Sequence, residues 1–122
     1  MTARFTRIRL ALVAGLLLAL PAAHAADSVE ASLAKVIRKA VPAFVFIAHG
    51  KGSGSGAVIS SDGLVVTNQH VIKDEEETHV RLGNGESYEA KILGRDRQGD
   101  LALLKIDANR PLPYLRMGDS DK

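Results

Sequence analysis

Between residues 44 and 106 the chain reads as closely spaced apolar runs joined by tight-turn signals, with no helical pattern between them. FVFIA at 44–48 is a short apolar run of aromatic and β-branched residues. GAVIS and LVVTN flank Ser61-Asp62-Gly63, and Asp-Gly between apolar runs is a strong hairpin signal. HVRL and SYEAKIL flank Gly83-Asn84-Gly85. There Val80 and Leu82 share one face, and Tyr88, Ala90 and Ile92 share one face, as the two-residue period of a strand requires. That pattern predicts a second hairpin. LALLKI at 101–106 is apolar on both parities, which predicts a strand buried on both sides. Strands this close, joined by turns and not by helices, imply a mainly β fold, an antiparallel barrel or sandwich.

The chain begins differently. Arg4, Arg7 and Arg9 form a basic start, Leu10 to Leu20 is an apolar run of eleven residues, and Ala23-His24-Ala25 is a small-x-small cleavage site. That is the layout of a secretory signal peptide, so residues 1–25 are expected to be removed after Ala25, leaving a product that begins at Ala26. The apolar run falls short of the roughly 20 residues that cross a bilayer, which argues against a stable membrane anchor. Next, Val29, Leu33, Val36, Ile37, Ala40 and Val41 recur at helical spacing, with Ser28 as a candidate N-cap and Pro42 as the stop. An amphipathic helix over 26–42 is expected, docked on the elements C-terminal to it.

Removing the signal takes away three of the 16 basic residues and none of the 14 acidic ones, which turns a formal net charge of +2 into −1. No cluster of Lys and Arg with interleaved aromatics remains to bind nucleic acid. Cysteine is absent, which excludes disulfides, zinc-thiolate sites and a cysteine nucleophile. Such an exported domain must rest on its core.

In GKGSGSGA at 50–57, Gly52, Gly54 and Ala57 satisfy the dinucleotide fingerprint, and Asp74 stands about 20 residues on. The chemistry of that fingerprint needs a helix N-terminus for the pyrophosphate, whereas here a strand and hairpin come next. A flexible connection, or a bulge where two backbones approach closely, is the better account. No H-E-x-x-H occurs, and Glu75-Glu76-Glu77 reads as a solvated loop, so neither cofactor nor metal is expected. His49 and His79 read as solvated strand-edge residues. His70 taken alone would be a core or surface histidine. Its distinction is Asp100, thirty residues on, at the head of the apolar strand. A carboxylate entering such a strand is partly desolvated and needs a partner, and an imidazole N–H is an economical one.

GSGSGAVISSDGLVVTNQHVI at 52–72 and GRDRQGDLALLKID at 94–107 resemble the HtrA (Do-like) family of exported trypsin-type serine proteases. The helix before Pro42 and the stretch LPYLRMGDSDK are also similar to that family. The resemblance implies that residues 43–122 are the first antiparallel β-barrel of a chymotrypsin-like protease domain, preceded by a short helix. It implies that His70 is the catalytic base and Asp100 its orienting partner, in the His-then-Asp order of chymotrypsin-like enzymes. It also implies a periplasmic endopeptidase acting on unfolded or damaged proteins, without a cofactor and homo-oligomeric in its full-length form.

The chain departs from the family in one respect. The nucleophile belongs to a Gly-Asn-Ser-Gly-Gly-Pro motif in the second barrel, and residues 1–122 contain no such motif and no PDZ module. Ser53, Ser55, Ser60, Ser61 and Ser120 all lack that context. The expectation is a truncated protease with the catalytic His and Asp but no nucleophile, inactive alone. Two alternatives are an exported, non-enzymatic half-barrel binding module and a signal-anchored structural protein.

Overall fold

A computed structural model describes residues 22–122, with side chains from Ala26 onward. The period-two runs become six strands: β1 (Phe44–His49), β2 (Gly52–Val58), β3 (Leu64–Thr67), β4 (Thr78–Leu82), β5 (Ser87–Asp96) and β6 (Leu101–Lys105). All neighbouring pairs are antiparallel, and the order β1-β2-β3-β6-β5-β4 closes on itself into a barrel when β1 pairs with β4. Closure removes both sheet edges and so satisfies their backbone groups. The mainly β expectation of an antiparallel barrel therefore holds.

Both expected hairpins form, β2 with β3 and β4 with β5. At the first, Gly63 adopts a φ of +99°, and a Cβ there would run into the Ile106 carbonyl oxygen, so only glycine fits. The Ser60 hydroxyl caps the same turn by accepting the Leu64 N–H at 3.0 Å. Alternation then sends Val45 and Ile47 of β1, Val80 and Leu82 of β4, and Ala102 and Leu104 of β6 into one core. The chain after β6 folds back against the β2–β3 hairpin, with the Leu115 N–H on the Val58 carbonyl at 2.9 Å. Leu112 is buried there and its N–H bonds the Ser61 carbonyl at 2.9 Å.

Four expectations need correction. First, β6 is buried on its inner face only: Leu104 is 0% exposed and Leu101 is 50% exposed. Apolarity on both parities here marks a barrel wall whose outer face is also apolar, not a strand sandwiched between layers. Second, the glycine stretch is no flexible connection. It is β2, in unbroken register with β1, where Gly52, Gly54 and Gly56 lie opposite His49, Ile47 and Val45. A close backbone approach occurs at Gly56, where a Cβ would meet the Val66 carbonyl oxygen. Third, His49 is not solvated but 5% exposed, with its ring occupying the space that a side chain on Gly52 would fill. It follows Val45 and Ile47 at the inward parity, a signal already present in the sequence.

Fourth, the N-terminal helix α1 runs from Ala22 to Ala40, followed by a 3-10 turn over Val41–Ala43 that contains Pro42. Ser28 therefore lies inside the helix and is not its N-cap. The expected docking is not seen either: Val29, Leu33, Val36 and Ile37 are exposed. The basic start and apolar run of the predicted export signal lie outside the described residues. Among the described residues, no helix is long and apolar enough to cross a membrane.

Candidate active site

His70 sits just past a strand end, in a helix too short for periodicity to reveal. Asn68 stays extended after β3, and α2 (Gln69–Ile72) begins at once. Gln69, Val71 and Ile72 are buried, so the single turn has one residue left to present outward, and His70 is 71% exposed at its side chain. The turn is closed by the Lys73 N–H on the Gln69 carbonyl at 2.8 Å and by the Gln69 side-chain amide on the Lys73 carbonyl at 3.2 Å.

Asp100 arrives from the opposite side. Asp96 ends β5, and its Oδ1 accepts the main-chain N–H groups of Gln98 and Gly99, both at 3.0 Å. This tight turn delivers Asp100 to the head of β6 with a φ of +53°, a left-handed conformation that Asp tolerates better than most residues. The Asn68 side-chain amide then holds the Asp100 carbonyl at 3.0 Å.

The two segments meet through one carboxylate. Asp100 Oδ1 accepts the main-chain N–H of His70 at 2.8 Å, and Oδ2 lies 2.6 Å from His70 Nδ1. An ionised carboxylate only accepts, so Nδ1 carries the proton and Nε2, on the far side of the ring, keeps its lone pair. With two bonds to one residue, the carboxylate fixes ring orientation as well as tautomer. The His70 main-chain N–H, and after it the ring, hold the Asp100 carboxyl below its ordinary value of 3.8 although its side chain is 43% exposed. An oriented imidazole whose Nε2 keeps its lone pair has the chemistry to accept a proton from a nearby hydroxyl.

Residues 54–122, which include both segments, match a family described as trypsin-like peptidase domain. The chain belongs to the trypsin-like peptidase family. Its relatives include proteases of HtrA and DegP-like type. It is 55% identical over 69 residues to a probable periplasmic serine endoprotease, DegP-like, of a Marinomonas species, covering 57% of this chain and 14% of that protein. It is 43% identical over 99 residues to the serine protease HTRA1A of Danio rerio, covering 72% of this chain and 21% of that one. The crystal structure of the serine endoprotease from Yersinia pestis superposes with a TM-score of 0.65 at 38% identity, over 70% of this chain and 32% of that one. This chain thus spans between a seventh and a third of the length of these relatives.

The other residues singled out in this trypsin-like chain lie elsewhere. His79 is an exposed residue of β4 paired across from Ala48, and Asp74 pairs with Arg97 at 2.5 Å on the surface. Ser53 and Ser55 are exposed residues of β2, Ser60 serves the β2–β3 turn, and Ser61 is exposed beside it. Ser120 is exposed near the C-terminal end of the chain. Gly52, Gly54 and Ala57 are strand residues with no helix start after them. Among the described residues no three His, Cys, Asp or Glu side chains group to hold a metal. Sequence reasoning missed Asn68, which anchors the Asp100 main chain, and Asp96, which builds the turn before it. The Asp96 turn is a local hydrogen-bonding pattern, its carboxylate accepting from N–H groups two and three residues on, and could have been found, whereas the Asn68 bond spans 32 residues and has no local signal.

Proposed function

We propose that this chain supplies the general base and its orienting acid to a serine endopeptidase of HtrA type. His70 Nε2 takes the proton of a serine hydroxyl as the hydroxyl attacks a peptide carbonyl, and later delivers it to the leaving amine. Asp100 keeps the proton on Nδ1 and stabilises the imidazolium that forms in between. The observation that carries this reading is the two-point clasp of Asp100 on His70, which leaves Nε2 outward and unblocked.

The nucleophile and the oxyanion-hole donors come from a second barrel outside residues 1–122, and the chain alone turns over nothing. Phe44, Val66 and Leu101 offer an apolar surface beside Asn68 on the outer wall for that barrel to cover, and together they line one shallow cleft. Its DegP-like relatives are named as periplasmic endoproteases, which supports a periplasmic setting. The chain reaches it through cleavage of a signal over 1–25, and residues 43–122 form the first barrel. Unfolded or damaged proteins are the substrates, and the full-length form is homo-oligomeric.

The test uses a full-length form that contains the second barrel. His70→Ala abolishes hydrolysis of denatured casein, and Asp100→Asn lowers kcat by about 10⁴, because an amide donating to Nδ1 forces the proton onto Nε2. Near-normal turnover by Asp100→Asn would remove Asp100 from the machinery. Turnover by the 122-residue chain itself would refute the placement of the nucleophile outside it.

A further inference from the structure

The glycines of β2 alternate with exposed serines, and each one makes room for something specific. A Cβ on Gly52 would meet the His49 ring, and one on Gly56 would meet the Val66 carbonyl. A Cβ on Gly54 would stand 2.6 Å from both γ-methyl carbons of Val71 and 3.2 Å from its Cβ. Val71 is the residue after His70 in the single turn of α2, and it is buried in the core. We infer that Gly54 is a positioning residue for His70: its missing side chain is the seat of Val71, and that seat sets how deeply α2 sits against β2. The inference rests on the reading of His70 as the base, but the geometry it concerns can be measured without turnover.

The magnitudes favour movement of the helix over adjustment of the side chain. Valine is stiff at χ1, and because both γ-carbons are equally close, rotation would relieve one contact and keep the other. A close-packed core leaves Val71 nowhere to retreat inward. Restoring ordinary contact of about 3.4 Å from 2.6 Å therefore needs a shift of about 0.8 Å, which the one-turn helix takes as a unit. Asp100 does not follow, because the residues directly after it are fixed in the sheet, Leu101 paired with β5 and Ala102 with β3. Its bonds to His70 at 2.8 and 2.6 Å would open to about the limit of a hydrogen bond.

The experiment tracks the Asp100 carboxyl carbon by NMR through an acid titration of the 122-residue chain. In the parent chain it should titrate below the ordinary aspartate range, because the His70 N–H and ring bond the carboxylate. Gly54→Ala moves the midpoint up toward 3.8, because the His70 N–H and ring no longer reach the carboxylate. Gly54→Ala/Val71→Ala removes both offending methyls and returns the midpoint to the parent value. Gly52→Ala, which disturbs the same strand at His49, leaves the midpoint where it was. A folded Gly54→Ala chain with the parent midpoint would overturn the inference, and so would a double variant that stays shifted. Should Gly54→Ala fail to fold, the double variant decides. Folded with a low midpoint it supports the inference, and unfolded it overturns it. Because the readout is a carboxyl titration, these outcomes stay separate from any failure of the proteolytic reading, which only turnover by the full-length form can reveal.

Discussion

Leu104 and Leu101 lie on the same strand three residues apart, and replacing each by alanine tests which face of β6 is core. Leu104 is 0% exposed and is paired between Val65 of β3 and Ile92 of β5. Leu104→Ala removes three buried carbons, a transfer loss of about 2.4 kcal/mol at about 0.8 kcal/mol each. The enclosed site cannot fully collapse, and the cavity brings the total to about 3–4 kcal/mol. Leu101 is 50% exposed on the outer wall, so its transfer loss is about half and water fills the space left behind. Leu101→Ala should cost about 1 kcal/mol. With a urea slope of about 1 kcal/mol per molar for a domain of this size, the midpoint falls by about 3 M for Leu104→Ala and by about 1 M for Leu101→Ala. Measured by circular dichroism at low micromolar concentration, equal shifts would refute the one-sided burial of β6. In the full-length form the cost of Leu101→Ala should rise toward that of Leu104→Ala, because the proposed second barrel covers the outer wall.

The turn chemistry and the charge of the site lead to two further outcomes. Gly63→Ala and Gly85→Ala both place a side chain at positive φ, but a Cβ at Gly63 runs into the Ile106 carbonyl oxygen while that at Gly85 meets open space. Thermal melts should show Gly85→Ala costing about 1 kcal/mol and Gly63→Ala at least about 2 kcal/mol more, and matched losses would mean that backbone conformation alone sets the cost. The Asp100 carboxyl is depressed in the folded chain, so its contribution to stability is complete above 3.8 and is lost as pH falls through the depressed value. Urea midpoints should therefore drop as pH is lowered from about 4 to about 2, and less steeply in Asp100→Asn, whereas parallel acid limbs would show that the His70 bonds do not depress it.

Strand positions and both hairpins were legible in the sequence because their causes are local. A two-residue period and an Asp-Gly turn act within a few residues of chain, and so does the stop that Pro42 imposes on α1. His70 and Asp100 were legible as a pair only as far as two motifs placed a histidine after one strand and an aspartate before another. Their meeting is tertiary. Pairing of β1 with β4 closes the barrel, and β3 pairing with β6 brings residues thirty apart into one corner. The four-residue α2 is too short for any periodicity to announce. Its depth is set by a glycine on another strand, and its outward residue is chosen by burial of the other three. His49 and Leu101 show the limit most plainly. Hydropathy scores a residue type, whereas burial depends on which side of the wall a strand turns that residue to. A small barrel has one filled interior, so the polar histidine at the inward parity is buried beside a glycine, and the leucine at the outward parity meets water.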